Sequence, residues 1–97
     1  MIYIVDIDHT ICDNKNSDYP NSTPYTNRIE KINKLYDEGH EIIYWTARGG
    51  NSGIDWTELT TKQLNEWGVK YHELRMFKPK YDVWVDDKAQ WIFEENE

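Results

Sequence analysis

Asp6 and Asp8 stand two residues apart at the end of the apolar run Ile2 to Ile7, and His9 and Thr10 follow at once. A second acidic pair, Asp86 and Asp87, closes the run Tyr81 to Val85, while Thr46 ends another apolar run and Lys78 precedes Pro79. An isolated Asp-x-Asp is usually a solvated turn or a helix cap. The combination of an acidic turn after a buried strand, a threonine after a second, a lysine and a further acidic pair carries more weight. Carboxylates gathered in one place repel one another and raise each other's pKa values unless a cation neutralises them, so their convergence implies a bound metal. All-oxygen donors without a His/Cys cluster point to magnesium rather than zinc, with Asp6, Asp8, Asp86 and Asp87 as the carboxylates expected to gather around it. Such an ion, with Lys78, would offset charge on a phosphoryl group approached by an anionic nucleophile.

The elements that must position these residues follow from periodicity. Ile2 to Ile7 reads as a strand buried on both faces of a parallel sheet. Residues 12–25 are rich in Asn, Asp, Ser and Pro and predict an irregular loop or small flap. Thr23 and Pro24 supply a helix start, and Ile29, Ile32, Leu35 and Tyr36 continue at helical spacing until Gly39, giving a helix over about 24–38. Glu41 to Thr46 reads as a second strand, followed by the glycine-bearing loop Arg48 to Gly53. A second helix with Leu59, Leu64 and Trp67 on one side stops at Gly68. Val69 to Leu74 and Tyr81 to Val85 predict a third and a fourth strand, and Lys88 to Glu95 a final helix with Trp91 and Ile92 inward. Trp45, Trp67, Trp84 and Trp91 are expected in the core, with packing the default for Trp56. Alternating strands and helices favour a parallel sheet covered on both faces, with ligands at the carboxyl ends of its strands.

Asp6-Ile7-Asp8-His9-Thr10 at the end of a hydrophobic strand resembles the first signature of the haloacid dehalogenase superfamily. Thr46 in Tyr44-Trp45-Thr46-Ala47-Arg48 is similar to its second, Lys78-Pro79 to its third and Val85-Asp86-Asp87 to its fourth, in the family's order and across almost the whole chain. The resemblance implies a Rossmann-like, three-layer α/β sandwich with a small parallel sheet and no cap domain. It implies a phosphatase in which Asp6 attacks phosphorus to form an aspartyl-phosphate and Asp8 serves as general acid and base. Thr46 would bond the phosphoryl oxygens, Lys78 would hold Asp6 and the phosphate together, and Asp6, the Asp8 carbonyl and Asp86 would hold magnesium with Asp87 close by. The implied substrate is a phosphate monoester of a sugar, a nucleotide or a polynucleotide end. The family often has glycine where this chain has His9, and a side chain at that turn would narrow the site or change backbone strain.

Several residues keep two readings. Lys80 lies two residues beyond Lys78, which is preferred for its place before Pro79. Arg48 is either a second phosphate contact through its planar guanidinium or a surface residue. The loop Arg48 to Gly53 matches neither a Walker A pattern nor a dinucleotide fingerprint, and is either a flexible loop leading into the next helix or a substrate contact. His40 and His72 read as structural or exposed. A non-catalytic metal- or phosphate-binding module is the alternative to an enzyme, and intact Asp8 argues against it.

Bulk properties bound these readings. At 97 residues the chain has room for one domain, 1–97, with 12–25 as a flap too short to be a cap. A net charge of −7 without a basic run disfavours a broad grip on nucleic acid. The single cysteine, Cys12, excludes an internal disulfide and reads as a small buried thiol in a reducing compartment. No apolar stretch approaches membrane-spanning length and no signal peptide is recognisable, so the expectation is a soluble, cytoplasmic protein. An open, capless site suits a large substrate, or a small one enclosed by a neighbouring subunit of a homo-oligomer.

Overall fold

The computed structural model describes residues 1–50 and 52–94. Its centre is a three-stranded parallel sheet of β1 (Ile2–Val5), β4 (Glu41–Trp45) and β5 (Glu73–Arg75), in the order β1-β4-β5. A two-residue hairpin, β2 (Cys12–Asp13) with β3 (Thr23–Pro24), interrupts the crossover from β1 to β4. Helices α1 (Thr26–Asp37) and α2 (Thr57–Glu66) complete the two crossovers. Register pairs Val5 with Tyr44 and Tyr3 with Ile42, which sets these residues on one face of the sheet. There Val5, Ile42 and Tyr44 join Ile29 and Ile32 of α1 and Leu64 of α2 in one core. No helix among the described residues is long and apolar enough to cross a membrane.

The first helix starts later than the sequence predicts. Thr23 and Pro24 pair with Asp13 and Cys12 instead, where a proline is tolerated because an edge strand needs no donor on its outer side. Tyr25 then donates its N–H to the Ile11 carbonyl before the helix begins. Both helices stop where expected, at Gly39 and Gly68, each left-handed.

The C-terminal part departs further. The sequence predicts a strand over 81–85, but residues 79–91 are exposed throughout and none of them joins the sheet. Val85 is 91% exposed, and Trp84 is held by its own neighbourhood: its ring meets Trp45 and Tyr81, and its indole N–H donates to Asp86. A run of β-branched and aromatic residues needs a ladder partner to become a strand, and here side-chain contacts hold the segment together off the sheet. The predicted final helix is likewise absent over 88–94, and residue 95 lies outside the described residues. Trp91 and Phe93 make an edge-to-face pair, a two-residue spacing that an extended chain brings together and a helix separates. Trp84 and Trp91, expected in the core, are 44% and 58% exposed, and it is Phe93 that is buried.

The outer face of the sheet therefore lacks the helical layer of a three-layer sandwich among the described residues. Ile2 and Ile4 stay largely exposed there, while Ile43 is covered. Alongside β1 runs a groove of about 660 Å³ lined by Ile2, Ile4, Trp45, Trp84 and Trp91, with Asp6 and Asp86 both on its border.

Candidate active site

The carboxyl ends of β1 and β4 and the turn before Lys78 meet in a cleft of about 300 Å³, walled by Asp6, Asp8, His9, Arg48, Lys78 and Tyr81 together with flap residues Asn14, Ser17 and Tyr19. Parallel register places both strand ends at one edge of the sheet. The loop after β4 is closely packed against the lysine segment: an added Cβ on Gly50 would stand 2.8 Å from the Lys78 carbonyl, and one on Gly49 would collide with the Ile54 carbonyl. The Lys78 N–H also donates to the Thr46 carbonyl, so these glycines let Lys78 be tied to the end of β4.

Asp6 is partly buried, and its two oxygens are differentiated. Oδ2 accepts a hydrogen bond from the Thr10 hydroxyl at 3.1 Å, and Oδ1 faces the Lys78 ammonium at 3.7 Å. Burial pushes the Asp6 carboxyl above the ordinary carboxylate range; Lys78, the Thr10 hydroxyl and the Ile7 N–H pull it back, and the nearby Asp8 raises it again. Lys78 itself is buried, donates to the Tyr81 hydroxyl at 3.3 Å and lies over the Tyr81 and Trp84 rings. Lys78 is thus the lysine that reaches Asp6, while Lys80 borders the cleft.

Arg48 is the most enclosed charge in the molecule's described residues, 0% exposed. Its Nε and one terminal nitrogen grip the Asp8 carboxylate at 2.9–3.2 Å, and its other terminal nitrogen donates to the Thr60 hydroxyl and the Gln63 side-chain carbonyl. Its guanidinium lies over the Tyr19 ring, and Ser22 is a further, longer partner. With its donors turned to these groups, Arg48 neither sits on the surface nor offers a fork to phosphate in this arrangement; it holds Asp8. The Asn14 side-chain amide also donates to Asp8 at 2.8 Å, and Gln63 donates to the Tyr19 carbonyl, so the same network fastens the flap to α2.

Thr46 is fully buried and does not line the cleft, whose wall at this point is formed by Ala47 and the enclosed Arg48. Its hydroxyl accepts the Arg48 N–H at 3.2 Å. Cys12 packs beneath Asp8, and burial, with Asp8 beside it, pushes its thiol up to about 12, as suits an inert interior thiol.

Asp86 and Asp87 are exposed. Asp86 accepts hydrogen bonds from the Lys88 N–H and the Trp84 indole, which with Asp87 hold its carboxyl below the ordinary range. Among the described residues no group of three or more His, Cys, Asp or Glu side chains stands together as a metal cage. The convergence of four carboxylates expected from the sequence does not occur here, because the segment bearing Asp86 is not paired to β1. The donors that are present, a desolvated Asp6 carboxylate beside Asp8, fit a hard cation that takes one or two protein carboxylates and completes its shell with water and a ligand phosphate.

Asn14, Tyr19, Thr60 and Gln63 were not apparent as site residues from the sequence. The signal for the last two was present: they fall three apart on the face of α2 that also carries Leu64, where a buried polar pair needs a partner. Trp56 packs edge-to-face on Tyr19, away from the cleft wall. His40 pairs with the N-terminus and His72 accepts the Ile42 N–H, both apart from the acidic edge.

Fold and site together define a small α/β protein with a part-buried lysine–aspartate pair and an arginine-held aspartate at the carboxyl end of a parallel sheet. No family model matches the sequence. A Bacillus cereus protein bearing the name "Putative nucleotidase" is 36% identical over 76 residues, or 78% of this chain; the chain spans 36% of that relative's length. A crystal structure of a Vibrio cholerae protein is 32% identical, covers 92% of this chain and 81% of its own, and superimposes with a TM-score of 0.81. The chain belongs to one family with this Vibrio cholerae protein.

Proposed function

We propose that the chain is a phosphomonoester hydrolase of the haloacid dehalogenase type with Asp6 as nucleophile. The observation that carries this reading is the differentiated Asp6 carboxylate: one oxygen is restrained by Thr10, the other lies on the cleft side against Lys78, and Asp8 stands two residues on. The name of the Bacillus cereus relative supports the same class of chemistry.

In the proposed reaction an Asp6 oxygen forms a bond to phosphorus as the bond to the leaving oxygen breaks, and Asp8 delivers a proton to that oxygen. Water then attacks the aspartyl-phosphate, Asp8 takes its proton, and phosphate departs with the Asp6 carboxylate restored. Lys78 offsets charge between the nucleophile and the phosphoryl oxygens, and Arg48 with Asn14 sets the direction of the Asp8 carboxylate. A magnesium ion held by Asp6 and the Asp8 carbonyl, with Asp86 brought in from across the groove, would supply further neutralisation of phosphoryl charge. The substrate class is a phosphate monoester of a sugar, nucleotide or polynucleotide end.

The competing reading is a non-catalytic phosphate- or metal-binding module, and it draws on the firm commitment of Asp8 to Arg48. Release of inorganic phosphate from p-nitrophenyl phosphate in the presence of magnesium separates the two. The wild type should turn over, and Asp6→Asn should lose about a thousandfold in kcat. Equal rates for the two proteins would refute the assignment of Asp6.

A further inference from the structure

His9 has a left-handed backbone, with φ +64°. Left-handed conformations are uncommon for residues with a Cβ, and at functional sites such strain accompanies ligand contacts. The ring borders the cleft beside Asp6 and Asp8. Its Nδ1 lies 3.2 Å from Asp13 Oδ1, while Nε2 has no hydrogen-bond partner among the described residues. This contact does little for folding, since the side chains are 67% and 56% exposed. Glycine would occupy the same turn without strain. Across the cleft, Ser17 of the flap is also left-handed, at φ +60°.

We propose that His9, oriented by Asp13, is a specificity residue that accepts a hydrogen bond from a hydroxyl on the leaving group of the substrate. In the neutral ring a carboxylate on Nδ1 favours the tautomer with the proton on that nitrogen, which leaves Nε2 as a lone-pair acceptor. An acceptor at the mouth of a phosphate site selects leaving groups that carry O–H donors, which are sugars and the ribose of nucleotides. The inference rests on the phosphomonoesterase reading above and narrows its substrate class to hydroxylated leaving groups.

The test compares kcat/KM of the wild type, His9→Gly, Asp13→Ala and Asp13→Asn on three substrates. These are p-nitrophenyl phosphate, whose leaving group has no additional hydroxyl, ribose 5-phosphate and 5′-AMP. In His9→Gly the preference for a hydroxylated substrate over the aryl ester should fall by up to about tenfold, the scale of one lost hydrogen bond, with the change in KM. Asp13→Ala should reproduce part of that fall and Asp13→Asn, which can still accept from Nδ1, should restore it. Loss on ribose 5-phosphate alone assigns the site to free sugar phosphates, and loss on 5′-AMP as well assigns it to the ribose they share. An unchanged preference, or a wild type that cleaves the aryl ester but neither hydroxylated substrate, overturns the proposal while leaving the hydrolase reading intact. A wild type inactive on all three overturns both. Because glycine suits the backbone at position 9, His9→Gly should unfold no earlier than the wild type, so the kinetic comparison does not depend on a damaged fold.

Discussion

Replacing Arg48 tests whether the fold depends on its grip on Asp8. The guanidinium is fully buried, forks onto a carboxylate whose side chain is 18% exposed, and donates to Thr60 and Gln63. Removing one member of a buried ion pair leaves the other unpaired and typically costs about 3–5 kcal/mol. Water reaches Asp8 on its exposed side, which places Arg48→Met near the lower end, about 3 kcal/mol. For a chain of this size that is a large part of total stability and corresponds to a fall in Tm on the order of 10–20 °C. Arg48→Lys keeps the charge but cannot serve Asp8, Thr60 and Gln63 at once, so it should recover less than half of the loss. Urea titration followed by circular dichroism gives the single-variant values. A double-mutant cycle with Asp8→Asn should return a coupling of about 2 kcal/mol. The interaction is enclosed, so 0.5 M salt should change that coupling little, unlike a surface pair. A cost below about 1 kcal/mol for Arg48→Met, or a coupling near zero, would refute the view that this network holds Asp8 and fastens the flap to α2.

Two further outcomes follow from groups whose environments disfavour them. The Tyr44 hydroxyl is buried without a hydrogen-bond partner among the described residues, and burial raises its pKa, so Tyr44→Phe should stabilise the protein by about 1 kcal/mol in urea unfolding; a loss of stability would reveal a bond made by that hydroxyl. For Asp6 the folded carboxyl lies above its unfolded value, chiefly through burial, so the folded state holds the proton more tightly. Its contribution is fully present below the ordinary carboxylate range and is lost as pH rises through the raised folded value. In metal-free protein Asp6→Asn should therefore melt above the wild type at about pH 7, with the gap closing toward about pH 3; an Asn variant that melts below the wild type at neutral pH contradicts the desolvation argument.

Local chemistry was enough to locate much of this protein. The β-branched run before Asp6, the helical spacing of Ile29, Ile32 and Leu35, and the stops at Gly39 and Gly68 each have a short-range physical cause, and the structure places β1, β4 and both helices accordingly. The placement of Asp6 and Thr46 at the ends of two strands was also legible, because in a parallel sheet every carboxyl end lies at one edge, whereas Lys78, expected just before a fourth strand, lies in the segment after β5. What only the tertiary structure decided concerns partners distant in sequence. Arg48 carries the same side chain whether it meets phosphate or solvent, and only the approach of Asp8, Thr60 and Gln63 makes it an interior clamp. Tyr81 to Val85 is rich in β-branched and aromatic residues, yet a strand exists only when an edge pairs with it, and here Lys78, Tyr81, Trp84 and Asp86 bind one another instead. Residue type and spacing set what each group can do; the competition among long-range partners, which no local window contains, sets which of those things it does.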